Sequence, residues 1–131
     1  MEKTLLVIKP DAVERNLIGK ILSMCEENGF KILDIKFEKM TREKAESFYR
    51  VHKDKPFFKN LIDYMTEKKV VAVILEGERA IERLRDLVGA TNPKEARPGT
   101  IRYILGIDVT RNSVHASDSK ESFEFEVKHF F

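Results

Sequence analysis

The order of elements can be read from the rhythm of apolar positions. Leu5-Leu6-Val7-Ile8 is an unbroken apolar run stopped by Lys9-Pro10, as expected of a central strand buried on both faces. Leu17, Ile18, Ile21, Leu22 and Cys25 recur at helical spacing, with Asn16 as the expected N-cap and Asn28-Gly29 as the stop. From Phe30 to Met40 apolar residues alternate through Ile32, Ile35 and Phe37, with Leu33 out of step, which predicts a half-buried strand. Thr41 opens a helix that runs through Ala45, Phe48 and Tyr49 toward His52 and breaks at Lys53-Asp54-Lys55-Pro56.

Phe57-Phe58 begins a short helix with Leu61, Ile62 and Met65. Neighbours on a helix lie about 100° apart, so the two phenylalanines cannot share one core. An exposed one is either ordinary surface or a platform on which a base stacks. Val70 to Leu75 is a second buried strand, closed by Glu76-Gly77. Ala80, Ile81, Leu84, Leu87 and Val88 make an amphipathic helix with Arg85 at its border, where an arginine ordinarily snorkels to water. Between Gly89 and Arg111 the pattern fails, punctuated by Pro93, Pro98 and Gly99. A loop this long in a small domain is more often functional than idle, and it carries Thr91 and Arg102.

At the C-terminus, Phe123, Phe125 and Val127 alternate with glutamates, which periodicity alone assigns to a strand. Ser117, Asp118 and Ser119 can all cap a helix, and Glu121 stands three residues after Asp118, as in a capping box. These caps favour a helix. Helices interleaved with few strands predict an α+β or α/β sandwich, one sheet with helices on one face, and the ferredoxin-like βαββαβ arrangement is the compact candidate. No repeat, low-complexity stretch or linker divides the chain, so residues 1–131 read as one domain.

Composition agrees with this picture. The chain has 131 residues, 42% hydrophobic and 35% charged, as in a globular protein with a real core. A net charge of +2, with signs interspersed, gives no reason to expect nucleic acid as a partner. The lone Cys25, set among apolar residues, reads as a small buried hydrophobe. The first apolar run is too short for a signal peptide or a membrane span, so a cytoplasmic protein without membrane attachment is expected.

Candidate chemistry gathers in Arg111-Asn112-Ser113-Val114-His115-Ala116-Ser117-Asp118-Ser119. An imidazole needs no dedicated base to act as a nucleophile near neutral pH. A helix start beside it is suited to receive an anion such as phosphate. The common phosphate loops are absent: Gly19-Lys20-Ile21 lacks the leading glycine and the hydroxyl of a P-loop, and there is no Gly-rich kinase loop. Nor is there a G-x-S-x-G elbow or a Cys/His cluster for zinc. What remains is Lys9, Arg85, Arg102 and Thr91 as phosphate donors, Asn112 as a hydrogen-bonder, Phe57 as a flat apolar face, and His115. Alone, each has a commoner ordinary role; together they suffice for phosphoryl transfer, which needs positioning and charge neutralisation above all.

Over essentially its whole length the sequence resembles the nucleoside diphosphate kinases. The resemblance is carried by Thr4-Leu5-Leu6-Val7-Ile8-Lys9-Pro10-Asp11-Ala12, Phe48-Tyr49-Arg50-Val51-His52, Lys55-Pro56-Phe57-Phe58 and Val70-Val71-Ala72. It continues in Leu75-Glu76-Gly77, Gly89-Ala90-Thr91-Asn92-Pro93, Pro98-Gly99-Thr100-Ile101-Arg102 and the segment from Asn112 to Ser119. It implies an α+β, ferredoxin-like sandwich on an antiparallel four-stranded sheet, with added helices and a long loop before the catalytic motif. The implied activity is reversible, ping-pong transfer of the γ-phosphate of a nucleoside triphosphate, mainly ATP, to a nucleoside diphosphate through a phosphohistidine at His115. Broad base specificity and maintenance of nucleoside triphosphate pools go with it.

The resemblance also implies roles for single residues. Arg85, Thr91 and Arg102 take the phosphates, with His52 nearby, while Lys9 and Asn112 take the sugar hydroxyls and Lys9 also approaches the transferring phosphate. Tyr49 stands beside the histidine, and Phe57 stacks on the base. Glu126 orients the histidine ring, with Ser117 close to that carboxylate. Mg²⁺ is expected on the nucleotide phosphates without direct protein ligands, Asp118 contacting it at most through water. A homo-oligomer is implied, a hexamer before a tetramer or dimer.

The chain departs from the family pattern at Ala116, where glycine is commoner, and at Thr66-Glu67-Lys68-Lys69, which replaces a Ser-Gly-Pro turn. A third departure is Tyr103-Ile104-Leu105-Gly106, in a segment that helps join subunits in the family. At the C-terminus the resemblance calls for a helix with Phe123, Val127, Phe130 and Phe131 inward. A non-catalytic nucleotide- or nucleic-acid-binding domain is the alternative reading, and a purely structural oligomeric role a weaker one; every catalytic position that can be matched is filled.

Overall fold

The computed structural model describes all of residues 1–131. Four strands, β1 (Glu2–Ile8), β2 (Lys31–Glu38), β3 (Val70–Gly77) and β4 (Val114–Ala116), form one sheet in the order β2-β3-β1-β4. Every neighbouring pair is antiparallel. Seven helices accompany them: α1 (Pro10–Glu14), α2 (Ile18–Glu27), α3 (Arg42–Phe48), α4 (Phe58–Glu67), α5 (Ala80–Val88), α6 (Ile101–Leu105) and α7 (Lys120–Val127). The architecture is the expected α+β, ferredoxin-like sandwich.

Helices cover both faces of the sheet, which corrects the expectation of one covered face. Leu6 and Ile8 point into a core shared with Ile21 and Cys25 of α2, Leu84 and Val88 of α5, and Ile101 of α6. Leu5 and Val7 point the other way, toward Phe48, Tyr49, Leu61, Ile62, Met65 and Phe130. Strand side chains alternate between faces, so a strand covered on both sides must be apolar throughout, as Leu5 to Ile8 is.

The edges of the sheet differ from their sequence reading. Ile32 pairs with Leu75 but Asp34 pairs with Ile74, so Leu33 is an extra residue in a bulge. That bulge explains the break in alternation at Leu33. It returns Ile35 and Phe37 to the face of Ile32, yet both stay exposed, at 45% and 53%. The half-buried expectation therefore fails beyond Ile32, because β2 is an edge strand and no helix covers its second half.

Caps decide where the helices begin. Thr41 Oγ1 accepts from Lys44 N at 3.1 Å, and Ser119 Oγ accepts from Ser122 N at 3.0 Å, so the C-terminal segment is a helix as its capping residues indicated. The Asp118/Glu121 capping box does not form, since Ser119 takes the cap and Asp118 Oδ1 instead accepts from Ser122 Oγ at 2.6 Å. Asn16 is likewise no cap: it is left-handed, with φ of 59°, and Leu17 precedes the first turn of α2. The segment from Gly89 to Arg111 is less irregular than expected, holding a 3-10 turn at Pro93–Glu95 and α6, which is capped by Thr100. Ala116 lies within β4 without a positive φ, so its methyl group is unstrained. Phe130 is buried as expected and Phe123 packs partly on the core, but Phe131 is 43% exposed.

Replacing Leu6 with alanine should lower stability by about 3 kcal/mol, read from the urea midpoint at unchanged m-value, because the fully buried side chain leaves a cavity the paired strand cannot close. An effect below about 1 kcal/mol would contradict the close packing of this core.

Candidate active site

The central strand positions the histidine. His115 pairs with Val7 across the β1–β4 ladder, and the Lys9 amide donates to the Ser113 carbonyl at 2.9 Å, extending the pairing past the end of β1. His115 Nε2 lies 2.9 Å from Glu126 Oε1 on α7. A carboxylate only accepts, so Nε2 carries the proton and Nδ1, which bonds to no protein group, keeps its lone pair. Ser117 Oγ donates to the same Glu126 oxygen at 2.7 Å. The imidazole also meets Phe48 edge-to-face at 5.0 Å and Tyr49 at 6.0 Å between centroids. The Tyr49 hydroxyl is buried without a partner, and burial, reinforced by the charge of Glu126, pushes its pKa up so that it stays protonated.

Two arginines brace β4 from outside. Because β4 is an edge strand, carbonyls on its outer side have no ladder partner. Arg102 Nη2 donates to the Val114 carbonyl at 2.9 Å and Arg85 Nη1 to the Ala116 carbonyl at 3.1 Å, on either side of His115. Arg102 Nη1 also holds the Gly89 carbonyl at 2.9 Å, while its Nε is buried without a partner. Lys9 Nζ donates to Asn112 Oδ1 at 2.9 Å and to the Thr110 carbonyl at 3.3 Å; Asn112 Nδ2 donates to the carbonyls of Thr91 at 2.9 Å and Val109 at 3.2 Å. Residues from β1, the long loop and the histidine motif are thereby locked together. Ser113, just before β4, is buried at φ of 79°, a strained conformation for a non-glycine residue.

These cations crowd one another. Burial, then the nearby Arg102 charge, lowers the Lys9 pKa to about 8, and burial, then Arg85, lowers that of Arg102 to about 10. An anion placed among them would relieve both effects. Asp118, exposed at the start of α7, has its pKa lowered first by the Ser122 hydroxyl bond and then by Arg85 and His115. No three His, Cys, Asp or Glu side chains converge to form a metal cage. The donor set suits phosphate oxygens better than a divalent cation.

The rings of His52 and Phe57 lie 5.4 Å apart, and neither residue hydrogen-bonds to the residues around His115. Phe57 is 47% exposed while Phe58 packs on the core, which settles which of the adjacent phenylalanines faces outward.

A family model for nucleoside diphosphate kinase matches residues 2–131. The chain belongs to the nucleoside diphosphate kinase family. It is 50% identical over its whole length to the nucleoside diphosphate kinase of Persephonella marina, spanning 94% of that protein, and 52% identical to that of Campylobacter jejuni, spanning 96%. Among solved structures, the Aquifex aeolicus nucleoside diphosphate kinase superposes with a TM-score of 0.96 at 45% identity, covering 99% of this chain and 94% of that one. The halophilic enzyme from Halobacterium salinarum, solved in complex with CDP, gives 0.96 at 40% identity, covering 99% and 87%. Phosphoryl transfer between nucleotides is the activity of the family, and this chain is a kinase of that kind.

Two residues that shape the surroundings of His115 and Lys9 escape sequence reading. Phe48 looks like an ordinary core residue, and nothing in its spacing shows that it walls His115. Asp11 is held by Tyr64, whose hydroxyl accepts from the Asp11 amide at 3.0 Å and donates to its carboxylate. Arg15 then bridges Asp11 Oδ2 at 3.0 Å to the Leu105 carbonyl at 2.6 Å, so α1, α4 and α6 are clamped together beside Lys9. The Pro10 at N1 of α1 was the one local signal for that helix.

The lowered pKa of Lys9 has a measurable consequence. Between pH 8 and its ordinary value of 10.5 the unfolded chain holds this proton more tightly than the folded one. The destabilisation is therefore complete below pH 8 and vanishes as the pH rises toward 10.5. Lys9→Met should gain most in stability relative to the parent at pH 7 and progressively less through pH 9 and 10, measured by urea unfolding at each pH. A stability difference that stays flat from pH 7 to 10.5 would show that Lys9 is not desolvated in this way.

Proposed function

We propose that His115 Nδ1 attacks the γ-phosphorus of a nucleoside triphosphate, mainly ATP. The P–N bond forms as the bond to the bridging β–γ oxygen breaks, and the diphosphate leaves with that oxygen. A second nucleoside diphosphate then attacks the phosphohistidine through its terminal oxygen and regenerates the imidazole. Donor and acceptor bonds are alike, so the reaction is reversible and equalises the nucleoside triphosphate pools of the cell. The observation that carries this reading is the Glu126–His115 hydrogen bond, which leaves Nδ1 as the unprotonated nitrogen on the strand that Arg85 and Arg102 bracket.

In this reading Arg85, Thr91 and Arg102 bind the phosphates, with His52 nearby, and spread the charge of the transition state. Loss of one such donor typically removes about 3 kcal/mol of stabilisation. Lys9 and Asn112, already bonded to each other, take the sugar hydroxyls, and Lys9 also reaches toward the transferring group. The unpartnered Tyr49 hydroxyl stands available to the site, and Ser117 secures Glu126. Mg²⁺ enters on the phosphates of the nucleotide as part of the substrate, neutralising charge there, and Asp118 meets it at most through water. Phe57 stacks on the base; a π-face is common to all bases, which accounts for broad specificity.

We also propose a cytoplasmic homo-oligomer, a hexamer before a tetramer or dimer. No helix is long and apolar enough to cross a membrane. Support for assembly comes from the open β2 edge with exposed Ile35 and Phe37, and from a second apolar group at Tyr103, Ile104, Ile107 and Val109.

ATP alone should yield a phosphoenzyme that is acid-labile and base-stable and that drives transfer to GDP; His115→Ala should abolish both. Label that survives His115→Ala but disappears with His52→Ala or His129→Ala would move the nucleophile elsewhere. Nucleotide binding without any transfer would make the chain a binding domain only. Phe57→Ala should raise KM for ATP and GTP alike by roughly tenfold, within the ~1–3 kcal/mol of one stacking contact; a loss confined to one base would instead indicate edge recognition. Sedimentation should give six times the 15.2 kDa chain mass, and a monomer would rule assembly out.

A further inference from the structure

His129 has no part in the chemistry above, yet its ring is held on several sides. It follows α7 by two residues and is half-buried. Its Nδ1 lies 3.1 Å from the Phe125 carbonyl and 3.2 Å from the Glu126 carbonyl. Carbonyls only accept, so Nδ1 carries the proton and closes the last turn of α7. In the neutral ring Nε2 then holds the lone pair, and Ser47 Oγ on α3 stands 2.9 Å away to donate to it. Phe125 packs on the imidazole at 4.8 Å, and the Arg50 guanidinium lies 3.9 Å from the centroid of Phe125. Phe48 touches the His129 ring at 5.4 Å and the His115 ring at 5.0 Å.

Two short routes thus lead from His129 to His115. One passes through Glu126, whose backbone carbonyl meets His129 and whose carboxylate meets His115 Nε2. The other passes through Phe48. No residue of α7 is itself fully buried, so the helix is held largely from its ends, with Phe123 packed partly on the core and Phe130, just past the last turn, buried in it. Glu126 sits in that last turn, where His129 ties the backbone to Ser47 of α3.

We propose that His129 is a positioning residue: with Ser47 it latches the last turn of α7 onto α3, and this holds Glu126 in the bond that fixes the tautomer of His115. Its effect on rate rests on His115 being the phosphoacceptor, whereas its effect on the His115 ring does not. A plain helix cap would stabilise α7 and leave His115 unchanged, so the two roles separate experimentally.

The test uses the full chain labelled with ¹⁵N-histidine. Nucleotide-free parent protein should show His115 as the Nε2–H tautomer, and Ser47→Ala and His129→Ala should both shift its ring nitrogens toward a tautomer mixture. Rapid-mixing measurements should show phosphorylation by ATP slowed roughly three- to tenfold, as for a displaced reacting group. The dissociation constant for ADP should stay within about twofold of the parent value, because neither residue lines the nucleotide site. If the tautomer and the rate are unchanged in both variants while only the melting temperature falls, His129 is a cap and the proposal is overturned. Should His129→Ala fail to fold, Ser47→Ala, at an exposed position, decides alone by the same signals. A parent protein that ATP does not phosphorylate would defeat the phosphohistidine reading, and the tautomer comparison would still decide the latch.

Discussion

Antiparallel pairing of β4 with β1 is the constraint on which the site depends. A three-residue strand has too few ladder bonds to hold its own place, so it borrows the rigidity of a neighbour that is apolar on both faces and paired on both sides. The register that sets His115 opposite Val7 also brings Lys9, just beyond the end of β1, to the backbone of Ser113. His115 and Lys9 are thus placed by one hydrogen-bond ladder. The outer carbonyls that an edge strand leaves open recruit Arg102 and Arg85, so the same two arginines complete the sheet edge and set positive charge on either side of His115.

This arrangement concentrates positive charge where water is scarce. Lys9 and Arg102 are buried, and each has its pKa lowered by burial and by a neighbouring cation. Cations crowded in this way repel one another, and an anion placed among them would relieve the repulsion. Hydrogen bonds to backbone carbonyls and to Asn112 hold them at fixed positions against it. Ser113, strained in the turn that delivers His115, belongs to the same economy of local strain held by a rigid surround.

Legibility in the sequence varied with how local the cause was. The doubly buried strands, the Thr41 cap and the helix over residues 120–127 follow from short-range patterns, and the structure has them. The capping residues outweighed a strand-like alternation at Phe123, Phe125 and Val127, because a satisfied helix start is a specific hydrogen bond while alternation over so few residues is ambiguous. Asn16 misled as a cap because asparagine serves equally in a left-handed turn. The exposure of Ile35 and Phe37 was invisible because alternation reports which face a side chain takes, and covering that face is decided by elements distant in sequence.

By itself the sequence determined the main strands and helices and where the candidate chemistry gathers. His115 with its helix-capping neighbours, the lysine closing the first strand, and cations spaced along the chain are set by residue type, and motifs this specific survive without coordinates. Tertiary structure decided the rest: which imidazole nitrogen is free, that two arginines bracket β4, that Phe48 walls the ring, and that α1, α4 and α6 meet at Asp11. Each of these is a contact between residues far apart in sequence, and no local pattern encodes which distant partner a side chain will meet. His115 became a candidate nucleophile in the sequence only when Lys9, Arg85, Thr91, Arg102 and Asn112 were set beside its nine-residue motif; that Nδ1 is the nitrogen left free required Glu126 to arrive from another element.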